Sequence, residues 1–329
     1  MTSTHQEKSR SQRPPKRMLY RESGAVRTNS GQYRGSRWPP QVAGAEQGIG
    51  EAKAASSLRS VVFLSACAGA GLTTLLVMCA LTLRERGHAC ALMDMDVEAG
   101  GMDVVLGLEA DSGLRLSDVE APLGRIDSAA LDHELPKWEA MSVLSCDPWN
   151  GATPQWWDVE AALGALGRGH ELVLVDAAGG QCMGQVGLLA GQPCVLLVEL
   201  SVLGLARTRV LLRRLAQGME REDEAMGKLG ERGGIAGKVL LVGIEPRGFK
   251  GAPPVSQAEA EEFLGRSFLG CVRPQAQLAA DVLAGMGIER PPRAYRKPLA
   301  ALAERIEAEI GLEAPAPARR SFWPKAGKR

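Results

Sequence analysis

Arg59-Ser60-Val61-Val62-Phe63-Leu64-Ser65-Ala66-Cys67-Ala68-Gly69-Ala70-Gly71-Leu72-Thr73-Thr74-Leu75-Leu76-Val77-Met78 is the stretch that decides the architecture. Its first part is a short apolar run rich in β-branched residues, the mark of a strand buried on both faces. Small residues and two glycines follow, and then an apolar segment of helical length. Glycines at the end of a strand let backbone N–H groups turn inward into a nest, and the next helix adds its N-terminal dipole. Strand, glycine turn and helix together suit an anion such as a phosphate. The strict phosphate-loop pattern ends in Gly-Lys-Ser/Thr, but here the lysine position is Leu72. The uncharged run from Ser60 to Leu83 is also long enough to span a bilayer. Its small residues and mid-span glycines favour a turn between two elements over one continuous rod.

The same alternation continues down the chain. Apolar runs predict strands at Val61 to Ser65, Cys90 to Asp94, Met141 to Ser145, Leu172 to Asp176, Cys194 to Glu199, Val239 to Ile244 and Phe268 to Val272. Amphipathic segments predict helices at Thr73 to Arg86, Trp157 to Gly167, Leu203 to Gln217, Gln257 to Leu264, Ala276 to Ala284 and Leu299 to Ile310. The charged and glycine-rich stretch Glu220 to Gly237 reads as a loop or frayed helix end. The expected fold is α/β: a doubly wound, mostly parallel sheet of about seven strands with helices on both faces.

Composition sets the outer limits. The chain has 329 residues, 45% of them hydrophobic and 23% charged, with a formal net charge of +1. That rules out a disulfide miniprotein and a fibrous repeat. The balance hides a segregation. Residues 1–59 carry 11 basic and 4 acidic side chains and residues 313–329 carry 5 and 1, so the stretch between them is net −10. Low apolar content predicts a disordered basic arm over 1–57, a folded domain over 58–312 and a disordered basic tail over 313–329. The seven cysteines form no Cys-x-x-Cys pair, which reads as a reduced, cytoplasmic chain. No apolar signal segment opens it.

Acidic residues mark the ends of other strands. The second strand ends in Asp94-Met95-Asp96, followed by Val97-Glu98-Ala99-Gly100-Gly101, and the fourth in Asp176-Ala177-Ala178-Gly179-Gly180. Carboxylates at the C-terminal ends of parallel strands, beside a phosphate loop, are where a nucleotide-bound Mg²⁺ and an attacking water are held. Glycine loop, Asp-x-Asp and Asp-x-x-x-Gly, in this order, resemble the ParA/MinD superfamily of deviant-Walker P-loop ATPases across residues 59–310. The Leu269-Gly270-Cys271-Val272-Arg273-Pro274 stretch and the helix after it extend the match. Asp94-Met95-Asp96-Val97-Glu98-Ala99-Gly100-Gly101 looks most like the CpaE/TadZ branch of Tad (Flp) pilus proteins and related actinobacterial septum-site-determining proteins.

The resemblance implies ATP and Mg²⁺ as cofactors. It places the nucleotide against Gly69, Ala70, Gly71, Leu72, Thr73, Thr74, Asp94, Asp176 and Gly179, with Thr73, Asp94 and Asp176 on the Mg²⁺ side and Asp96 orienting water. Both family lysines are absent: the signature lysine falls at Cys67 and the Walker lysine at Leu72, where an apolar side chain would stand beside phosphate oxygens. Hydrolysis is therefore expected to be slow or absent, as in a pseudo-ATPase that positions or scaffolds other machinery. Expected partners are proteins of a pilus-secretion or septal apparatus and a second copy of the chain, with a weak touch on anionic membrane through the basic tails. Two alternatives stand beside this: a working dimerising ATPase whose missing lysines are replaced from elsewhere, and a DNA-binding partition protein using Arg207, Arg209, Arg213 and Arg214. The acidic body disfavours DNA. His88, His133 and His170 read as surface or turn residues. Cys67 reads as small filler or, at a helix N-terminus, as a reactive thiol.

Overall fold

The computed structural model describes residues 58–97, 100–146, 153–225, 239–248, 251, 253–288 and 290–313, with side chains in the long helix followed as far as 216. The basic arm, the basic tail beyond 313, Glu98-Ala99 and the later part of the Glu220 to Gly237 stretch lie outside these residues. The described ones belong to one unit, Ala54–Arg329.

Strands β1 (Ser60–Ser65), β2 (Cys90–Asp94), β3 (Lys137–Trp138), β4 (Met141–Leu144), β5 (Leu172–Asp176), β6 (Cys194–Glu199), β7 (Val239–Ile244) and β8 (Phe268–Val272) form one sheet in the order β3-β4-β2-β5-β1-β6-β7-β8. Every pairing is parallel except that of β3 with β4. The eighth strand, β3, is an addition to the expected sheet. It is two residues long and antiparallel at an edge, too short to leave a periodic pattern.

The helices are α1 (Leu72–Glu85), α2 (Met102–Leu106), α3 (Ser128–Glu134), α4 (Trp156–Gly169), α5 (Val202–Ala225), α6 (Gln257–Leu264), α7 (Ala276–Leu283) and α8 (Arg296–Ile310). The start of the Glu220 to Gly237 stretch is thus the last part of α5 and not a loop. On one face of the sheet, α1 and α8 pack in a core with Val61, Phe63, Leu92, Leu174 and Leu197. On the other, residues of α4 and α5 pack with Val62, Leu64, Met93, Val175 and Leu196. Odd and even positions of β1 feed opposite cores, as the pleat requires of a strand covered on both sides.

β1 lies between β5 and β6. From it the chain runs outward to β2 and β4 on one side and to β6, β7 and β8 on the other. In open parallel sheets ligands bind outside the C-terminal ends of the strands where the winding reverses. The glycine turn after β1 stands at that place. The uncharged run Ser60 to Leu83 is split here into β1, turn and α1, and no helix among the described residues is long and apolar enough to cross a membrane.

Candidate functional site

The turn after β1 is shaped by two left-handed glycines, Gly69 at φ +71° and Gly71 at φ +99°. L side chains rarely adopt such angles, so glycine is required at both. Gly71 is also the residue on which α1 starts. No side chain caps that end, and the first intrahelical bond runs from the Leu75 N–H to the Gly71 carbonyl at 2.9 Å. The N–H groups that precede it have no intrahelical acceptor and lie at the positive end of the helix dipole.

Leu72 departs from expectation. Its side chain is 9% exposed and belongs to the core shared by α1, α8 and the sheet, so it does not line the cradle with apolar surface. The turn keeps its backbone donors and simply lacks an ammonium. Cys67 is buried. Burial raises its thiol pKa, and the Arg207 guanidinium beside it offsets this only in part. A thiol raised this way is a small hydrophobe and not a nucleophile.

Below the turn, the Thr73 hydroxyl donates to Asp176 Oδ2 at 2.6 Å. Asp176 ends β5, and its other oxygen accepts from the Ala178 N–H at 3.1 Å. Ala178 holds φ +46°, a sparsely populated conformation for a residue with a Cβ, kept where the chain turns away from this carboxylate. Burial raises the Asp176 pKa, against the lowering pull of Thr73.

Asp94 is the register partner of Asp176 across β2 and β5. It is 2% exposed, and burial together with the charge of Asp176 pushes it up to about 7. Its oxygens accept from the N–H groups of Asp96 at 3.0 Å and of Gly101 and Met102 at 3.1 Å. Asp94 thus fastens the 96–102 turn and the start of α2, which is the work of a capping carboxylate. Asp96 is half-buried, and its charge is felt at Asp176. Gly179 follows in the turn after Asp176, where a Cβ would first meet the Gln181 side chain.

Beside the turn a cleft of about 90 Å³ is lined by Ala70, Gly71, Thr74, Arg247, Pro274 and Tyr295 among others. Ligand pockets usually measure about 300–1,000 Å³. This one is smaller than such pockets and opens beside the turn.

Arg247 was invisible to sequence reasoning. It sits after β7 in no motif, and only its place at the C-terminal end of a parallel strand could have flagged it. Its Nη2 lies 3.5 Å from where a Cβ on Gly71 would stand. The four arginines of α5 do not act as one strip. Arg207 meets Cys67, and Arg209 lies 5.1 Å over the Phe263 ring. The histidines are corrected in part. His133 is exposed, but His88 is buried between Glu307 at 2.9 Å and Glu171 at 3.2 Å, and His170 is partly buried against Ser142 and the Leu166 carbonyl.

Among the described residues no group of three or more His, Cys, Asp or Glu side chains is arranged to hold a metal ion. Mg²⁺ takes oxygen ligands and is usually held by one or two protein groups plus substrate phosphates. The Thr73 hydroxyl on Asp176 fits that pattern for a cation that arrives with a nucleotide. Asp94, with its oxygens engaged by three N–H groups, does not.

The fold is shared with solved MinD and ParA structures. The MinC:MinD cell division protein complex of Aquifex aeolicus matches with a TM-score of 0.55 at 16% identity, over 76% of this chain and 96% of that one. The septum site-determining protein MinD of Pyrococcus horikoshii, complexed with Mg-ADP, matches with 0.55 at 18%, over 78% and 99%. A ParA family ATPase from Chlorobium tepidum matches with 0.54 at 14%, over 78% and 98%. No protein-family model matches the sequence, and no curated protein does.

Proposed function

We propose that this chain is a ParA/MinD-like positioning or scaffold protein that binds a Mg-nucleotide at the turn after β1 and hydrolyses it slowly or not at all. The observation that carries the reading is the Thr73–Asp176 bond at 2.6 Å beneath an uncapped helix start, at the reversal point of a MinD-like sheet. The N–H groups of Gly69 to Thr74 bind phosphate oxygens, and Thr73 with Asp176 holds the cation. Asp94 fixes the 96–102 turn, and Asp96 in that turn orients a water. A bound Mg²⁺ supplies charge neutralisation at the phosphates. Without the Walker lysine, one preorganised donor to the developing charge is missing, which typically lowers turnover by about 10²–10³-fold.

Within this reading the Asp94 to Gly101 run favours the CpaE/TadZ-like branch, with pilus-secretion or septal proteins as partners. The neighbour seen with MinC supports a protein partner for this fold, and a homodimer is part of the proposal. Equilibrium dialysis with labelled ATP and a phosphate-release assay test it. Binding with little or no phosphate release is expected. Turnover at the level of active relatives, abolished by Asp96→Ala, would refute the pseudo-ATPase. The second reading, a working ATPase with replaced lysines, gains support from the positions of Arg207 and Arg247.

A further inference from the structure

The turn after β1 carries no ammonium group, with Cys67 and Leu72 where the resemblance would place lysines, yet two guanidinium groups stand beside it. Arg247 reaches the turn from the end of β7. It lines the cleft with Ala70, Gly71 and Thr74, and its Nη2 lies 3.5 Å from the Cβ position of Gly71.

What the guanidinium pairs with is informative. The carboxylate nearest in sequence, Glu245, is taken by Arg273 through bonds of 2.6 and 2.9 Å. Arg86, Arg115 and Arg305 are likewise paired with Glu307, Asp103 and Glu309. Arg247 is exposed and forms no salt bridge among the described residues. Its charge is felt at Tyr295, which also lines the cleft. Arg207, early in α5, stands beside the Cys67 thiol and pulls its pKa down against burial, while Glu199 accepts from the Ser201 hydroxyl at 2.7 Å. Among the described residues neither arginine forms a salt bridge with a carboxylate. A planar guanidinium free to pair bidentately, beside inward-facing N–H groups, is suited to phosphate oxygens.

We propose that Arg247, assisted by Arg207 beside Cys67, supplies the phosphate-facing positive charge that the turn itself lacks, so that cationic recognition has moved from the loop to the ends of β7 and β6. The ligand class is a nucleoside di- or triphosphate, and the proposal rests on the nucleotide-site reading above. Arg247 reads the phosphates and not the base.

Calorimetric titration of the full chain with ADP and with adenosine, in Mg²⁺, tests this in wild type, Arg247→Gln, Arg247→Lys and Arg207→Gln. Both arginines are exposed, so thermal melts are expected to be unchanged. ADP affinity should fall about tenfold or more in Arg247→Gln, by a smaller factor in Arg207→Gln, and recover in part in Arg247→Lys. Adenosine affinity should not move. The salt dependence of ADP binding should flatten in Arg247→Gln as one cation–phosphate contact is lost. Unchanged ADP affinity in Arg247→Gln, or an equal loss for adenosine and ADP, overturns the proposal while leaving the nucleotide site intact. Absence of ADP binding by the wild type overturns the site reading and this proposal together.

Discussion

Leu72→Lys returns the missing ammonium to the turn and removes a buried leucine, so it separates two contributions. The leucine is 9% exposed within the core that joins α1 to α8. Giving up the burial of such a side chain costs about 1.5–3 kcal/mol. The lysine stem can keep part of that contact if the ammonium swings out toward the turn, as amphipathic side chains do. The unliganded variant should therefore unfold about 1–3 kcal/mol more easily in urea. A charge-assisted bond to phosphate contributes about 1.5–3 kcal/mol, so Mg-ADP should bind about 10–100-fold more tightly. These changes are linked. At a fixed saturating ADP concentration, each tenfold gain in affinity returns about 1.4 kcal/mol of stability. Urea titrations with and without Mg-ADP, together with calorimetry, measure both. A variant that is weakened as expected but binds ADP no better would refute the claim that α1 points its N-terminus at phosphates.

Other substitutions probe other parts of the account. Thr73→Ala removes the donor to the buried Asp176 carboxylate; it should cost about 1–3 kcal/mol of stability and abolish the Mg²⁺ dependence of ADP binding, read by the same titration with and without the cation. Gly204→Ala would drive a Cβ into the Glu199 carbonyl and should shift the start of α5, lowering stability by about 1–3 kcal/mol in urea unfolding. Glu307→Gln leaves Arg86 and His88 without their shared carboxylate and should cost about 1–3 kcal/mol. The Arg86 guanidinium, and His88 after it, hold Glu307 below its ordinary value. Its stabilising contribution is therefore complete above that ordinary value and is lost as the pH falls through the lowered one, so wild type and variant should converge in acid melts.

The strands were legible because each is a continuous apolar run, and a run covered on both faces needs no periodicity to stand out. Lys137–Trp138 is different: two residues against an edge, one of them charged, carry no such pattern. The charged end of α5 was only half legible, as loop or helix end, since Glu220 to Ala225 continues a helix with little apolar content to mark it. At the site, glycine turn, Thr73 and Asp176 follow from motif order, because strand ends in a parallel sheet converge on one edge. The direction of Leu72 does not follow. Motif spacing places a residue on the loop but does not say whether its side chain turns to the ligand or into the core beneath α1. Arg247 is harder still, being brought to Gly71 only by the adjacency of β6 and β7, which the local sequence of neither element encodes.

A crystal structure of the chain grown with Mg-ADP puts the central claim to its most direct test. The account places the β-phosphate within hydrogen-bonding distance of the N–H groups of Gly71 to Thr74, with the Thr73 hydroxyl turned from Asp176 to the cation. ADP bound elsewhere, with Thr73 still on Asp176 and the turn empty, would contradict it.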